Sequence, residues 1–133
     1  MSMFHDQYEF LQAGDVLSDR PTRREHLAYT LVKEEFREFT QEPSYFTSQG
    51  EQNEYGLNSI KEALDLMYVI AQYLNVTIGP DKAKECWDAL HNNNMSKCTN
   101  GKLLKREDGK VLKPEGYKKL DLAPLLCKNN GTL

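Results

Sequence analysis

One ten-residue run, Glu62-Ala-Leu-Asp-Leu-Met-Tyr-Val-Ile-Ala71, constrains the fold more than any other feature of the chain. It reads as helix and is apolar on nearly every side, yet it holds two carboxylates, Glu62 and Asp65, one turn apart at i and i+3. A helix apolar all round must be covered by other helices. Asp65 is then left without a solvent face, and an ionised carboxylate in a helical core is strongly unfavourable unless a cation compensates it. Lys61 adjoins Glu62 in sequence but projects about 100° away from it. No other Lys or Arg lies within a turn, so the partner expected for Asp65 is a cation from another helix or a bound metal.

The remaining sequence supplies the helices for such a cover. The 133 residues fit one all-α domain, a four-helix-bundle-like core over about residues 2–92 followed by a basic tail over about 93–122. Helices are expected over about 2–12, ended by Gly14 in the left-handed conformation, and over 22–40, between Pro21 and Pro43. Two more are expected over 58–74 and from Pro80 to about residue 92. Between the second and third, residues 41–57 are rich in Gly, Gln, Asn, Ser and Glu and read as a long polar connection. In the tail, Asp108-Gly109 between Lys102-Leu-Leu-Lys-Arg and Lys110-Val-Leu-Lys suggests a short β-hairpin. Tyr68 and Trp87 are expected in the core.

Composition excludes several classes. No run approaches the roughly 20 apolar residues that cross a bilayer, and the amino terminus lacks the basic start and apolar stretch of a signal peptide, so no membrane association and a cytoplasmic location are expected. Cys86, Cys98 and Cys127 form no CxxC pair and read as free thiols. With a net charge of -3 and no long basic block, no nucleic-acid polymer is expected as a partner. Roughly half of the 17 Lys and Arg nevertheless fall between Lys97 and Lys119, while the acids of interest lie in the first half, an asymmetry suited to meeting an anion from two sides.

Those acids extend to the second helix, which contains Glu34-Glu35-Phe-Arg-Glu38. On a wheel of about 100° per residue with Leu27 at zero, Glu34, Glu38 and Glu35 fall near -20°, 20° and 80°. The apolar arc of Ala28, Phe39, Val32 and Phe36 begins just beyond, and Lys33, His26, Arg37 and Thr30 mark the solvent face near 240° to 300°. An isolated EExxE is as readily a charged surface. With the second and third helices packed antiparallel, however, five carboxylates converge, and two divalent cations would offset them. All-oxygen ligation suits magnesium, with manganese substituting, and magnesium commonly takes substrate phosphates as further ligands.

EExxE, 23 intervening residues and then ExxD resembles the metal-binding signature of the all-α NTP pyrophosphatase superfamily, which includes MazG, dimeric dUTPases and phosphoribosyl-ATP pyrophosphohydrolases. His91-Asn-Asn-Asn94-Met-Ser-Lys97 is similar to the family's NxxK element. Lys105 to Lys113, Tyr117 and Asp121-Leu122 are similar to the basic tail of its phosphoribosyl-ATP pyrophosphohydrolase-like members, and Phe4-His5 with Tyr8 to a first-helix pattern. The polar segment 41–58 departs from the pattern, which leaves substrate specificity open. The resemblance implies a MazG-type core, with Glu35, Glu38, Glu62 and Asp65 as magnesium ligands and Glu34 orienting or deprotonating the attacking water. Spacing does not decide which glutamate is base and which is ligand.

It further implies that Asn94 and Lys97 meet phosphate oxygens or hold a metal-bound carboxylate, Lys97 also as a catalytic group. Lys110, Lys113 and Tyr117 would close over the polyphosphate, from this chain or a neighbouring subunit, and His5 would be a packing residue or contact the base. Solvated charge is the plain alternative for Lys110 and Lys113, and helix termination for Asn94. The activity implied is hydrolysis of a (deoxy)nucleoside triphosphate, with dGTP or GTP favoured, to the monophosphate and pyrophosphate by a homodimer or homotetramer. The alternatives are a dUTPase-like enzyme or a non-catalytic helical nucleotide-binding or interaction module.

Overall fold

The computed structural model describes residues 2–41 and 54–127. It is mostly helical, with α1 Met3–Ala13, α2 Pro21–Gln41, α3 Glu54–Ile78, α4 Pro80–Met95 and a last single turn, α5 Ala123–Leu126. One small antiparallel sheet pairs β1 Cys98–Thr99 with β2 Lys102–Leu103. Contacts divide the chain into two compact units, Met1–Asp81 and Lys82–Leu133. Among the described residues no helix is long and apolar enough to cross a membrane.

In the first unit, α3 packs against both α1 and α2. Glu35 of α2 lies by Glu62 and Asp65, whereas the earlier Tyr29 and Val32 line a hollow with the later Ile70 and Tyr73. The order reverses along the pair, so α2 and α3 run antiparallel, as expected. Leu11, Ala28 and Val76 form the apolar centre, with Val16 and Leu17 of the 3₁₀ turn Val16–Ser18 packed on it.

A buried amide network joins α1 to α3. Asn75 Nδ2 donates to Phe4 O at 2.9 Å and to Gln7 Oε1 at 2.8 Å, and Gln7 Nε2 reaches Gln72 Oε1 at 3.5 Å. Gln7, Gln72 and Asn75 are all buried, so these bonds replace water that the three amides have lost. Asn75→Ala removes the donor to the buried Gln7 Oε1, while Phe4 O keeps its place in the α1 helix, and a loss of about 2 kcal/mol is expected by urea unfolding.

Several boundaries differ from expectation. α3 begins four residues earlier and ends four later than residues 58–74, stopped by Gly79 at φ +83°, whose N–H returns to Asn75 O at 3.0 Å. α4 likewise continues past residue 92 to Met95. Gly14 is not left-handed, with φ -90°, and the reversal is made by Asp15 at φ 56°. Of the polar connection expected over 41–57, residues 42–53 lie outside the described residues, together with Pro43, and 54–57 belong to α3.

The expected ladder at Asp108-Gly109 is a single bridge between Lys105 and Val111. There Asp108 accepts from Arg106 Nη2 at 2.7 Å and from Lys110 N at 3.0 Å, and the Arg106 guanidinium, then the Lys110 N–H, hold its carboxyl below the usual range. The two-stranded sheet is a second hairpin, turned at Asn100-Gly101, both left-handed with φ 53° and 78°, the pair a tight hairpin turn favours. The core is also thinner than the periodicity implies. Tyr68 stays 41% exposed, edge-on to Phe10, Trp87 is 54% exposed, and Phe36, Leu27 and Tyr29 of α2 are exposed as well.

Candidate metal centre

The carboxylates of Glu35, Glu62 and Asp65 each present one oxygen, and the three oxygens lie within 4.8 Å of one another. α2 supplies the first and α3 the other two, one helical turn apart, so the antiparallel contact between these helices builds the cluster. Glu38, one turn after Glu35, stands at its side and adds a fourth negative charge. The Glu35 carboxyl is pushed above its usual 4.5, first by shielding from water, then by Glu38 and more weakly by Asp65 and Glu62. Its Oε2 is out of reach of water and has no hydrogen-bond partner among the described residues.

Asp65 corrects the sequence expectation in two respects. It is not sealed in the core, since its side chain is 39% exposed, and it has a lysine partner, Lys61 Nζ at 2.6 Å from Oδ2. Lys61 is four residues before Asp65, a spacing that brings two side chains to one face. The angle of about 100° between Lys61 and Glu62, its immediate neighbour, says nothing of the acid one turn on. The hydrogen bond to Asp65 holds the Lys61 ammonium above its usual range, followed by the attraction of Asp65 itself and of the two glutamates.

Glu34 is not part of this cluster. It is exposed and lines a surface hollow with Thr30, Lys33, Phe36 and Arg37, on the side of the helix assigned to solvent. His5 is held at both ring nitrogens, Nδ1 to Ser2 Oγ at 2.7 Å and Nε2 to Asp81 Oδ1 at 2.8 Å, contacts that tie the start of α1 to the first turn of α4.

Four of the remaining sequence candidates meet inside the second unit. Lys97 Nζ donates to Asn94 Oδ1 at 3.1 Å, and the ammoniums of Lys97 and Lys113 stand 5.8 and 5.6 Å from the centre of the Tyr117 ring. Such distances suit cation–π attraction. Lys110 is exposed, and its backbone serves the Asp108 turn. A residue without a sequence signal organises this group. Asn93 accepts from the Tyr117 hydroxyl at 2.7 Å and donates to Lys118 O at 2.8 Å, fastening the tail to the end of α4. It borders a hollow of about 510 Å³ together with Ser96, Tyr117 and Lys119. Cys86, Cys98 and Cys127 are free thiols, and burial raises that of Cys86.

The three-oxygen cluster suits a small hard cation. Octahedral magnesium with bonds of about 2.1 Å sets its ligand oxygens roughly 3 to 4.2 Å apart, so the cluster needs only a slight contraction. The donor set has no sulfur or imidazole to favour a softer ion. Compared with protein-family models and with curated proteins, the chain matches none.

Proposed function

We propose that the protein is a magnesium-dependent hydrolase of the MazG type, cleaving a (deoxy)nucleoside triphosphate to the monophosphate and pyrophosphate. The observation that carries this is the gathering of Glu35, Glu62 and Asp65 oxygens within 4.8 Å on two antiparallel helices. Glu35, Glu62 and Asp65 would hold the ion, and Glu38 is close enough to complete the set on the α2 side. A divalent ion there, magnesium or manganese, neutralises phosphate charge and eases deprotonation of the attacking water.

The chain's own groups then have separable tasks. A carboxylate left free by the metal orients the water at the α–β anhydride and takes its proton. Glu34 fills that role on the resemblance alone, whereas Glu38 is the glutamate beside the cluster. On the resemblance alone, Lys97, Lys113 and Tyr117, with Asn94, would meet polyphosphate oxygens, from this chain or a neighbouring subunit. Purine triphosphates such as dGTP and GTP head the substrate panel, dUTP comes next, and residues His5 and Lys110 retain substrate roles on the resemblance only. Self-association fits the α3 stripe of Leu57, Ile60, Leu64 and Met67, exposed on successive turns at the spacing of a helix-packing seam.

The test is release of pyrophosphate and nucleoside monophosphate from a panel of ribo- and deoxyribonucleoside triphosphates, in magnesium, in manganese and in EDTA. Metal-dependent formation of both products in equal amounts is expected for at least one triphosphate. Absence of turnover across the whole panel would rule the hydrolase out and leave a binding module.

A further inference from the structure

We propose that Lys61 is a tethered stand-in cation, its ammonium neutralising the acidic cluster in the metal-free chain and leaving Asp65 when a divalent ion enters. The inference rests on the metal reading of Glu35, Glu62 and Asp65 and extends it to how that site loads. Four carboxylates, those of Glu35, Glu38, Glu62 and Asp65, are gathered on facing helices. Like charges at such distances repel, which leaves the cluster open to any cation within reach. Lys61 Nζ is within reach, 2.6 Å from Asp65 Oδ2.

The attachment is of a kind that exchanges easily. The Lys61 side chain is 69% exposed, so its flexible stem swings into water without dragging core residues along. Asp65 is 39% exposed, so an incoming hydrated ion reaches the carboxylate from the same open side. An ammonium and a divalent ion on one carboxylate repel each other, and a magnesium ion at about 2.1 Å needs an oxygen lone pair directed at it. Lys61 therefore opposes metal binding, while it supports the fold in the metal's absence. The two effects have opposite signs, and a lysine out of charge contact with the cluster would produce neither.

Titration calorimetry with manganese on wild type, Lys61→Gln and Lys61→Arg, combined with thermal melts in EDTA, tests this. Lys61→Gln is expected to bind manganese about fivefold more tightly, the scale of an exposed ion pair, and to melt at a lower temperature in EDTA. Lys61→Arg, which keeps the charge, is expected to stay close to wild type in both. Wild-type or weaker manganese affinity in Lys61→Gln would overturn the proposal while leaving the metal site intact. Absence of saturable binding in wild type and both variants would overturn the metal reading itself, and this inference with it.

Discussion

Asp65→Asn is expected to leave the protein folded and to lower magnesium-dependent triphosphate turnover by at least about 100-fold. Groups that only orient metal ligands already cost ~10- to 100-fold when removed, and Asp65 is assigned to the ligand set itself. Asparagine keeps the size and one oxygen of aspartate but loses the charge that draws the cation. Folding should survive because Asp65 is 39% exposed and its ion pair with Lys61 is an exposed one of small worth. Glu62→Gln, one turn earlier on α3, should behave in the same way. Turnover measured at saturating nucleotide over a range of magnesium concentrations separates the two components of the defect. Weakened metal binding is recovered at high magnesium, whereas a fault in the chemistry is not. Wild-type turnover in either variant would remove these acids from the reaction.

Glu35→Gln should lose turnover as well, yet make the metal-free protein more stable at neutral pH. The folded chain holds the Glu35 carboxyl above its usual 4.5, because shielding from water and the neighbouring acids disfavour its charge. The folded state therefore binds this proton more tightly than the unfolded state does. The Glu35 contribution to stability is fully present below about pH 4.5 and is lost as pH rises through the folded pKa, above which the whole penalty is present. Glutamine carries no charge at any pH and escapes the penalty. In EDTA the variant should melt above wild type at pH 7.5, with the gap closing toward pH 4. Added magnesium should raise the wild-type melting temperature and leave that of the variant unchanged. A variant less stable than wild type in EDTA at pH 7.5 would show that Glu35 is held by favourable contacts rather than strained by its neighbours.

The helical architecture was legible because periodicity and end signals agree over long stretches. α2 runs between its Pro21 start and Gln41, within one residue of expectation at each end. The antiparallel pairing of α2 and α3, and with it the meeting of Glu35 with Glu62 and Asp65, follows from two neighbouring amphipathic helices joined in sequence. What escaped were features settled by side-chain reach and by turn chemistry. The angle between Lys61 and Glu62 conceals the reach of a four-carbon stem one turn before Asp65, which spans the gap readily. Asp108-Gly109 does turn the chain, with Arg106 N donating to Lys110 O and Leu112 N to Leu104 O about one antiparallel bridge, whereas Asn100-Gly101, which carries the stronger hairpin signal, joins the two-stranded sheet. Asn93 had no signal of its own in a run of three asparagines. Only the return of Tyr117 and Lys118 to the end of α4 distinguishes it from Asn92 and Asn94. Glu34 stands on the hydrated side of α2 with Lys33 and Arg37, because its place at the edge of the acidic face is only about 40° from the solvent arc.

The decisive measurement is anomalous diffraction from crystals soaked in manganese. A peak bonded to oxygens of Glu35, Glu62 and Asp65, with the Lys61 ammonium withdrawn from Asp65, is the result expected. Manganese bound elsewhere, with Asp65 still paired to Lys61 and the three acids apart, would contradict the assignment of this cluster as the metal centre.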